Sequence, residues 1–305
     1  MTVIWVANEV KKNGKFIQTK AEVLCTASCL LFIKHFYPEW KTIFFVDRIT
    51  KEYYNQFGIL ELFDEVNDTL LEEPSEINTD VFWAAGKIRA QRFVEGPTLT
   101  IDLDFRFYTN LTELGFFDAD VSGLWLEQTE GKYYYISPED ALSNTGMFSD
   151  YEWDNRALNV SILFLKNNEF KNLYCDWVLE YMKRVSYNFK GCEIHLNDIY
   201  ILFAEQYMLN QLIRQNKQKV KVLINNYENK KLPDYVKGTK VEYLNAGEFF
   251  YHYGTDKQDM RDRNEKYYRE INHSHYITNK SITNEKHLEM FNKIYNIDEN
   301  EGCFC

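Results

Sequence analysis

The chain is 305 residues long, 45% hydrophobic and 16% aromatic, which is enough apolar material for one large α/β core or two smaller ones and too much for a disordered body. Its formal charge of −11 excludes broad, sequence-independent attraction to phosphate backbones, though not a local basic groove. No apolar run approaches the roughly 20 residues of a membrane span. The N-terminal stretch lacks the basic start of a signal peptide, and the six cysteines (Cys25, Cys29, Cys175, Cys192, Cys303 and Cys305) show no zinc-finger spacing, so a soluble protein of a reducing cytoplasm is expected.

Residues 3–7 read as a short buried strand. Residues 21–36 carry apolar side chains at mixed spacings of three and four, a helix that Pro38 ends. Residues 42–46 form a second buried strand, closed by Asp47, and residues 53–57 and 81–93 read as helices. Gly96-Pro97 then leads into an apolar strand over 98–104. Strands alternating with helices predict a sheet with parallel strands and helices on its faces, whose ligands bind outside the carboxyl ends of the strands. Further along, 121–127 reads as a strand, 133–154 as an irregular loop over the site, and 157–165 as a strand. Residues 170–185 and 198–214 read as helices, and 219–224 and 241–244 as short strands. Everything after Asp256 is highly charged and poor in aliphatic residues. This divides the chain into a catalytic domain over 1–257 and a charged C-terminal extension, helical or loose, over 258–305.

The strand over 98–104 ends in Asp102-Leu103-Asp104. Side chains two apart on a strand share a face, so the two carboxylates are expected side by side at the strand's tip. Two anions that close repel unless a cation accompanies them, and hard oxygen ligands suit magnesium or manganese. Pairs of this kind also occur as solvated loop carboxylates; the apolar run before this one favours a metal site.

Four further constellations accompany it. In His252-Tyr253-Gly254-Thr255-Asp256-Lys257, an imidazole can complete a ligand set, a glycine admits a phosphate to the backbone, and a lysine supplies a point charge; an ordinary surface turn would read the same. Asn159, inside the apolar run 157–165, needs hydrogen-bond partners and can hold a sugar hydroxyl or a backbone group. Glu205, beside Gln206, opens an apolar helical pattern; it faces either a sugar or the helix dipole. Lys87, Arg89 and Arg92 precede the aspartates on one helical segment, where Lys87 or Arg89 can reach a diphosphate or the three can form a solvated helix face.

Taken together, Ile101-Asp102-Leu103-Asp104, the Asn159 strand, the segment 204–210 and the late histidine-glycine-lysine turn resemble GT-A fold glycosyltransferases over roughly residues 1–257. Two departures stand out: Val160-Ser161 where that family often has a small residue and glycine, and a late turn one residue tighter than the commonest form. The resemblance implies a Rossmann-like mixed sheet with helices on both faces. It also implies transfer of a sugar from a nucleotide-diphosphate donor, a UDP-sugar by preference, to an acceptor hydroxyl. Asp104 and His252 would bind Mn2+ (or Mg2+), with Asp102 on the metal or on the donor. Ala7 and Asn8 would line the nucleotide pocket, with Lys87, Arg89, Asn159, Gly254 and Lys257 completing the donor site. Lys257 would neutralise the leaving diphosphate; an inverting reaction would need a carboxylate base, Glu205 ahead of Asp150, Glu152 or Asp154, and a retaining one would need none. A glycan is the favoured acceptor, with a hydroxymethylated DNA base as the alternative; Arg261, Arg263, Lys266 and Arg269 are the basic residues that would touch DNA. Two other functions fit the aspartate pair less well. A haloacid-dehalogenase-type phosphotransferase would want Thr or Val where Arg106 stands, and a non-catalytic glycan or sugar-nucleotide binder would use the aromatic content for stacking.

Overall fold

The computed structural model describes residues 1–7, 20–73, 75–79, 81–131, 135–143, 145–147, 153–188, 197–224, 250–252 and 264–297. The expected Rossmann-like mixed sheet with helices on both faces is what forms. The strands are β1 (Thr2–Ala7), β2 (Lys41–Val46), β3 (Glu65–Asn67), β4 (Thr98–Ile101), β5 (Phe105–Phe107), β6 (Val121–Gly123), β7 (Leu126–Gln128), β8 (Arg156–Leu158), β9 (Ile162–Leu165), β10 (Val220–Val222) and β11 (Phe250–His252). Seven of them make one sheet in the order β10-β6-β9-β4-β1-β2-β3. Its neighbours are parallel except at β9, which runs antiparallel to both β4 and β6. The chain lays β2 and β3 on one side of β1 and then returns to place β4 on the other. The carboxyl ends of β1 and β4 therefore flank a topological switch point, where ligands enter such sheets.

The central strands β1, β2, β4, β6 and β9 are buried on both faces, and their alternation sorts the core into layers. Val3, Trp5, Leu99, Ile101, Ile162 and Phe164 pack on the side of helix α1 (Lys20–Phe36), while Leu163 and Leu165 pack on the side of α5 (Asn168–Asn188). Ile4, Ile43 and Phe45 meet Ala90 and Val94, at the end of α3 (Ala85–Phe93). Helix α2 spans Arg48–Asn55, earlier than the expected 53–57, because Asp47 caps it: its side chain accepts from Thr50 N while Thr50 Oγ1 accepts from Asp47 N. A short helix α4 (Pro138–Leu142), started by Ser137, lies inside the stretch expected to be irregular.

Two predicted strands are broken. The run 121–127 divides into β6 and β7, and the run 157–165 into β8 and β9, so that β7 and β8 form a separate antiparallel pair. The second break is chemical. Asn159 Oδ1 accepts from Ser161 N at 3.1 Å, an Asx turn that diverts the backbone from the ladder. Gly123 permits the first: a Cβ there would meet the carbonyl oxygen of Asn159 at 2.9 Å. The expected strand over 241–244 lies outside the described residues.

The segment expected as a charged extension contributes two helices, α8 (Asn264–Ser281) and α9 (Glu285–Tyr295), to the main core. Ile271, Ile282, Phe291 and Ile294 are buried in the same cluster as α1. Between them Ser274 and Thr278 are fully buried small residues, which let α8 approach closely; Thr278 Oγ1 meets Ser28 Oγ at 2.8 Å and Ser274 Oγ meets the Tyr108 hydroxyl at 3.3 Å. Helix α1 is thus enclosed by the sheet and by this hairpin, which is why it is apolar nearly all round. Among the described residues no helix is long and apolar enough to cross a membrane.

Candidate active site

The aspartates occupy a turn, not the strand itself. β4 ends at Ile101, and Asp102 O accepts from Phe105 N at 3.1 Å, so Asp102-Leu103-Asp104 bends directly into β5. This corrects the expectation of two carboxylates on one strand face. The turn is pinned from both sides: Asp102 N donates to Ser161 O at 2.8 Å, just past the Asn159 turn, and Thr26 of α1 donates its hydroxyl to Leu103 O at 2.9 Å. Asp104 is partly buried on the same turn.

Strand β11 returns to this place. It pairs antiparallel with β5 in the register Phe250–Phe107, Tyr251–Arg106, His252–Phe105. The backbone of His252 therefore stands opposite the residue that follows Asp104, although the two are far apart in sequence.

On the other side of the turn is a buried charge cluster. Lys87, from α3, sets its Nζ 2.6 Å from Asp102 Oδ1 and 2.5 Å from Glu205 Oε1, with the lysine and glutamate side chains 8% and 3% exposed. Burial pulls Lys87 down, but the carboxylates of Asp102 and Glu205 outweigh it and hold the ammonium above its ordinary value. Burial pushes Glu205 up; Lys87 opposes this and Asp102 adds to it, leaving the carboxyl above its ordinary range. Three residues singled out in separate motifs thus meet in space. Arg89, two positions on along α3, does not join them: it pairs with Glu73 at 3.4 Å.

Glu205 belongs to a π-helical turn, Phe203–Tyr207, set between α6 (Asn197–Leu202) and α7 (Met208–Gln215). All five of its residues are buried. Turns of this kind interrupt a regular helix at a cost and concentrate at functional sites. Tyr174 of α5 donates its hydroxyl to Glu205 O at 3.0 Å, a side-chain partner for the backbone of the widened turn.

The next residue, Gln206, joins a second polar cluster that the sequence reading did not single out. The Tyr135 hydroxyl lies 3.0 Å from Glu127 Oε1 and 3.1 Å from Gln206 Oε1. Glu127 is a buried carboxylate on β7. The signal was present, since a charged residue inside the apolar run 121–127 needs a reason as much as Asn159 does. Asn159 itself is buried and spends its side-chain oxygen on the Ser161 turn. Ala7, at the tip of β1, has its carbonyl bonded by the Thr50 hydroxyl at 2.7 Å. Asn8, Asp150, Glu152, Gly254 and Lys257 lie outside the described residues, as does Cys192 with Cys303 and Cys305.

The described residues contain no cluster of three or more His, Cys, Asp and Glu side chains fit to hold a metal. The donor set expected here comprises Asp102, Asp104 and His252, and the turn and the β5–β11 register bring these three positions of the backbone together. Carboxylate oxygens with one imidazole nitrogen suit Mn2+ or Mg2+ in chemical kind. One ammonium against two carboxylates also leaves negative charge in excess beside the turn.

No protein-family model matches the chain, and no curated protein matches it. Among solved structures it is similar to the glycosyltransferase GlyE of Streptococcus pneumoniae TIGR4, at 13% identity and a TM-score of 0.41 over 83% of this chain; the chain spans 55% of the length of that protein. It is similar to the galactosyltransferase LgtC solved with donor and acceptor sugar analogues, at 12% identity and a TM-score of 0.43 over 98% of both chains. It is also similar to mouse xyloside xylosyltransferase 1, at 14% identity and a TM-score of 0.42 over 82% of this chain and 96% of that one. None of these reaches a TM-score of 0.5, and the functional reading rests on the residues described above.

Proposed function

We propose that this chain is a glycosyltransferase that moves a sugar from a nucleotide-diphosphate donor, a UDP-sugar by preference, to an acceptor hydroxyl on a glycan. The observation that carries this reading is the Asp102–Asp104 turn at the carboxyl end of β4, beside the switch point, with β11 returning so that His252 pairs with Phe105. A sheet of this kind takes a nucleotide in that crevice. An anionic donor needs countercharge there, and paired carboxylates supply it only by holding a cation.

In this reading Asp104, Asp102 and His252 would hold Mn2+ or Mg2+, which when bound supplies positive charge to the diphosphate as the bond to the sugar breaks. The other steps belong to the chain. Lys87 holds Asp102 and Glu205 in fixed positions, so neither carboxylate has to reorganise as charge moves. Glu205, kept above its ordinary range by burial, is suited to accept a proton from an acceptor hydroxyl if the reaction inverts. The buried walls of the π turn exclude water from that side of the site.

The test is a panel of nucleotide sugars with Mn2+, read by thermal shift and by release of free nucleotide diphosphate, with and without sugar acceptors. Turnover of one donor class that stops on chelation supports the reading. Release of inorganic phosphate from phosphomonoesters would replace it with the phosphotransferase reading, and tight donor binding without diphosphate release would make the protein a binder. Transfer to hydroxymethylated duplex DNA in place of sugars would change the acceptor and leave the chemistry.

A further inference from the structure

Helix α3 lies against β4 with matching spacings. Four residues of a helix advance about 6 Å and two residues of a strand about 6.7 Å, so a helix stripe at i, i+4 can pair rung by rung with a strand stripe two residues apart. Two such rungs are polar. At the upper one Lys87 Nζ meets Asp102 Oδ1 at 2.6 Å; at the lower one Gln91 Nε2 donates to Thr100 Oγ1 at 3.0 Å. Gln91 is fully buried and Thr100 nearly so. The other end of the Gln91 amide, Oε1, lies 3.9 Å from the Cys175 thiol of α5. One rung further down the helix has ended, and Thr98 Oγ1 is buried without a hydrogen-bond partner among the described residues. There Lys171 of α5 holds the connection instead, donating from Nζ to Val94 O and, at 2.8 Å, to Gly96 O.

A buried amide must be bonded, because an unmade bond in the core leaves the full desolvation penalty of the group. Gln91 is therefore selective: α3 can roll or slide on β4 only by breaking the Thr100 bond away from water. Lys87 cannot fix the helix by itself, since its ammonium rides on a flexible four-carbon stem. Lys171 fixes the far end, about two turns from Lys87, and leaves the roll of the helix free. We propose that Gln91 is a positioning residue: by bonding Thr100 it fixes the register and roll of α3 on β4, and so sets Lys87 Nζ between the carboxylates of Asp102 and Glu205. Being fully buried, it acts through Lys87. Its effect on rate rests on the glycosyltransferase reading; its effect on Lys87 does not.

The experiment compares Gln91→Met, Thr100→Val and the double variant in the full chain. Each single variant strands one buried polar group and should lower the melting temperature. The double removes both partners and should recover most of that loss, so it separates stability from positioning and serves if a single variant fails to fold. The first readout needs no substrate. The 15N resonance of the Lys87 ammonium, identified by its loss in Lys87→Arg, should exchange its protons slowly in the wild type and at least about threefold faster in all three variants, the worth of one neutral hydrogen bond. The second readout is kinetic: kcat for sugar transfer should fall by about threefold to tenfold in all three, the double included, while the donor KM stays within about twofold. If the ammonium signal and the rate return with the melting temperature in the double variant, the bond serves stability alone and the inference falls. If the Lys87 signal is the same in all four proteins, the connection held by Lys171 sets the register and the inference falls equally. A wild type that turns over no nucleotide sugar would defeat the function reading, and the ammonium comparison would still decide the role of Gln91.

Discussion

Lys87 Nζ stands 2.5 Å from Glu205 Oε1 at a place where the two side chains keep only 8% and 3% of their surface in solvent. The same ammonium serves Asp102 at 2.6 Å. Taking such a pair out of water costs several kcal/mol per ion, so its value lies less in net stability than in holding charge where it is wanted. Breaking it is another matter, because one partner is then left buried with its charge uncompensated.

Lys87→Met should therefore destabilise the fold by ~3–5 kcal/mol near neutral pH, measured by urea unfolding. Adding Glu205→Gln to the same chain should recover much of the loss, because the deeper of the two stranded charges is gone. A double-mutant cycle built on these chains should show strong coupling between the two positions. A single substitution costing under ~1 kcal/mol would mean that the two side chains are solvated in solution.

The pH dependence has a definite sign. Glu205 is held above its ordinary value of 4.5, burial being the largest cause. Between that value and its value in the folded protein, the native state binds more protons than the unfolded chain, so this residue's contribution to stability falls as the pH rises through the window. Glu205→Gln removes the term. Unfolding free energies measured at about pH 5 and about pH 7 should then differ less in the variant than in the wild type, the wild type gaining more on the acid side. Equal differences in the two proteins would place Glu205 at its ordinary value. Lys87 acts at the other end of the scale: held above 10.5, it stabilises the fold fully below that pH, and its contribution is lost as the pH rises beyond it.

Much of this architecture was legible in the sequence, for a physical reason. Strands buried on both faces are continuous apolar runs, and 3–7, 42–46 and the run into Asp102 could not be missed. What the pattern hides is pairing. Lys87, Asp102 and Glu205 carry three separate signals, and nothing in a one-dimensional chain says that one ammonium serves both carboxylates. Short strands are equally silent: Phe105–Phe107 and Phe250–His252 are three residues each, too few for a period to emerge. The breaks at Gly123 and Asn159 depend on a close approach and a side-chain bond that a run of apolar neighbours conceals.

The packing of the C-terminal helices is hard to read from sequence because their contact face is partly polar. Ile271, Ser274 and Thr278 of α8, with Ile282 just past its end, form one buried stripe, and its hydroxyls are used against Ser28 and Tyr108. Counting aliphatic residues undervalues such a face. The better signal was in α1, whose apolar residues surround the helix and so require a cover on both sides.

That cover can be tested by contrast within the hairpin. Phe291 is fully buried, while Tyr276 is 60% exposed. Phe291→Ala should cost ~3–5 kcal/mol in global unfolding, the usual price of a large cavity in a core. Tyr276→Ala should fall within about 0.5 kcal/mol of the wild type. If both are nearly neutral, the hairpin is not part of the cooperative unit that includes α1.

Metal binding offers the sharpest test of the aspartate turn, because it can be read without substrate. Asp104 shares a pinned turn with Asp102, and His252 pairs with the residue just past it, so the three positions converge although only two are close in sequence. Asp102 Oδ1 is engaged by Lys87 at 2.6 Å, and in the proposed ligand set Asp104 binds the cation directly. Asp104→Ala should weaken Mn2+ binding by roughly 100-fold or more, at or beyond the upper end of what losing a supporting group costs a metal site. His252→Ala should weaken it by roughly tenfold or more, with urea midpoints close to the wild type in both. Titrations followed by the Mn2+ paramagnetic resonance signal measure this directly. Unchanged affinity in His252→Ala would remove the histidine from the ligand set. Unchanged affinity in Asp104→Ala would mean that the carboxylates of this turn serve Lys87 and the fold alone, and the cation that the proposed reaction needs would have to be sought elsewhere on the chain.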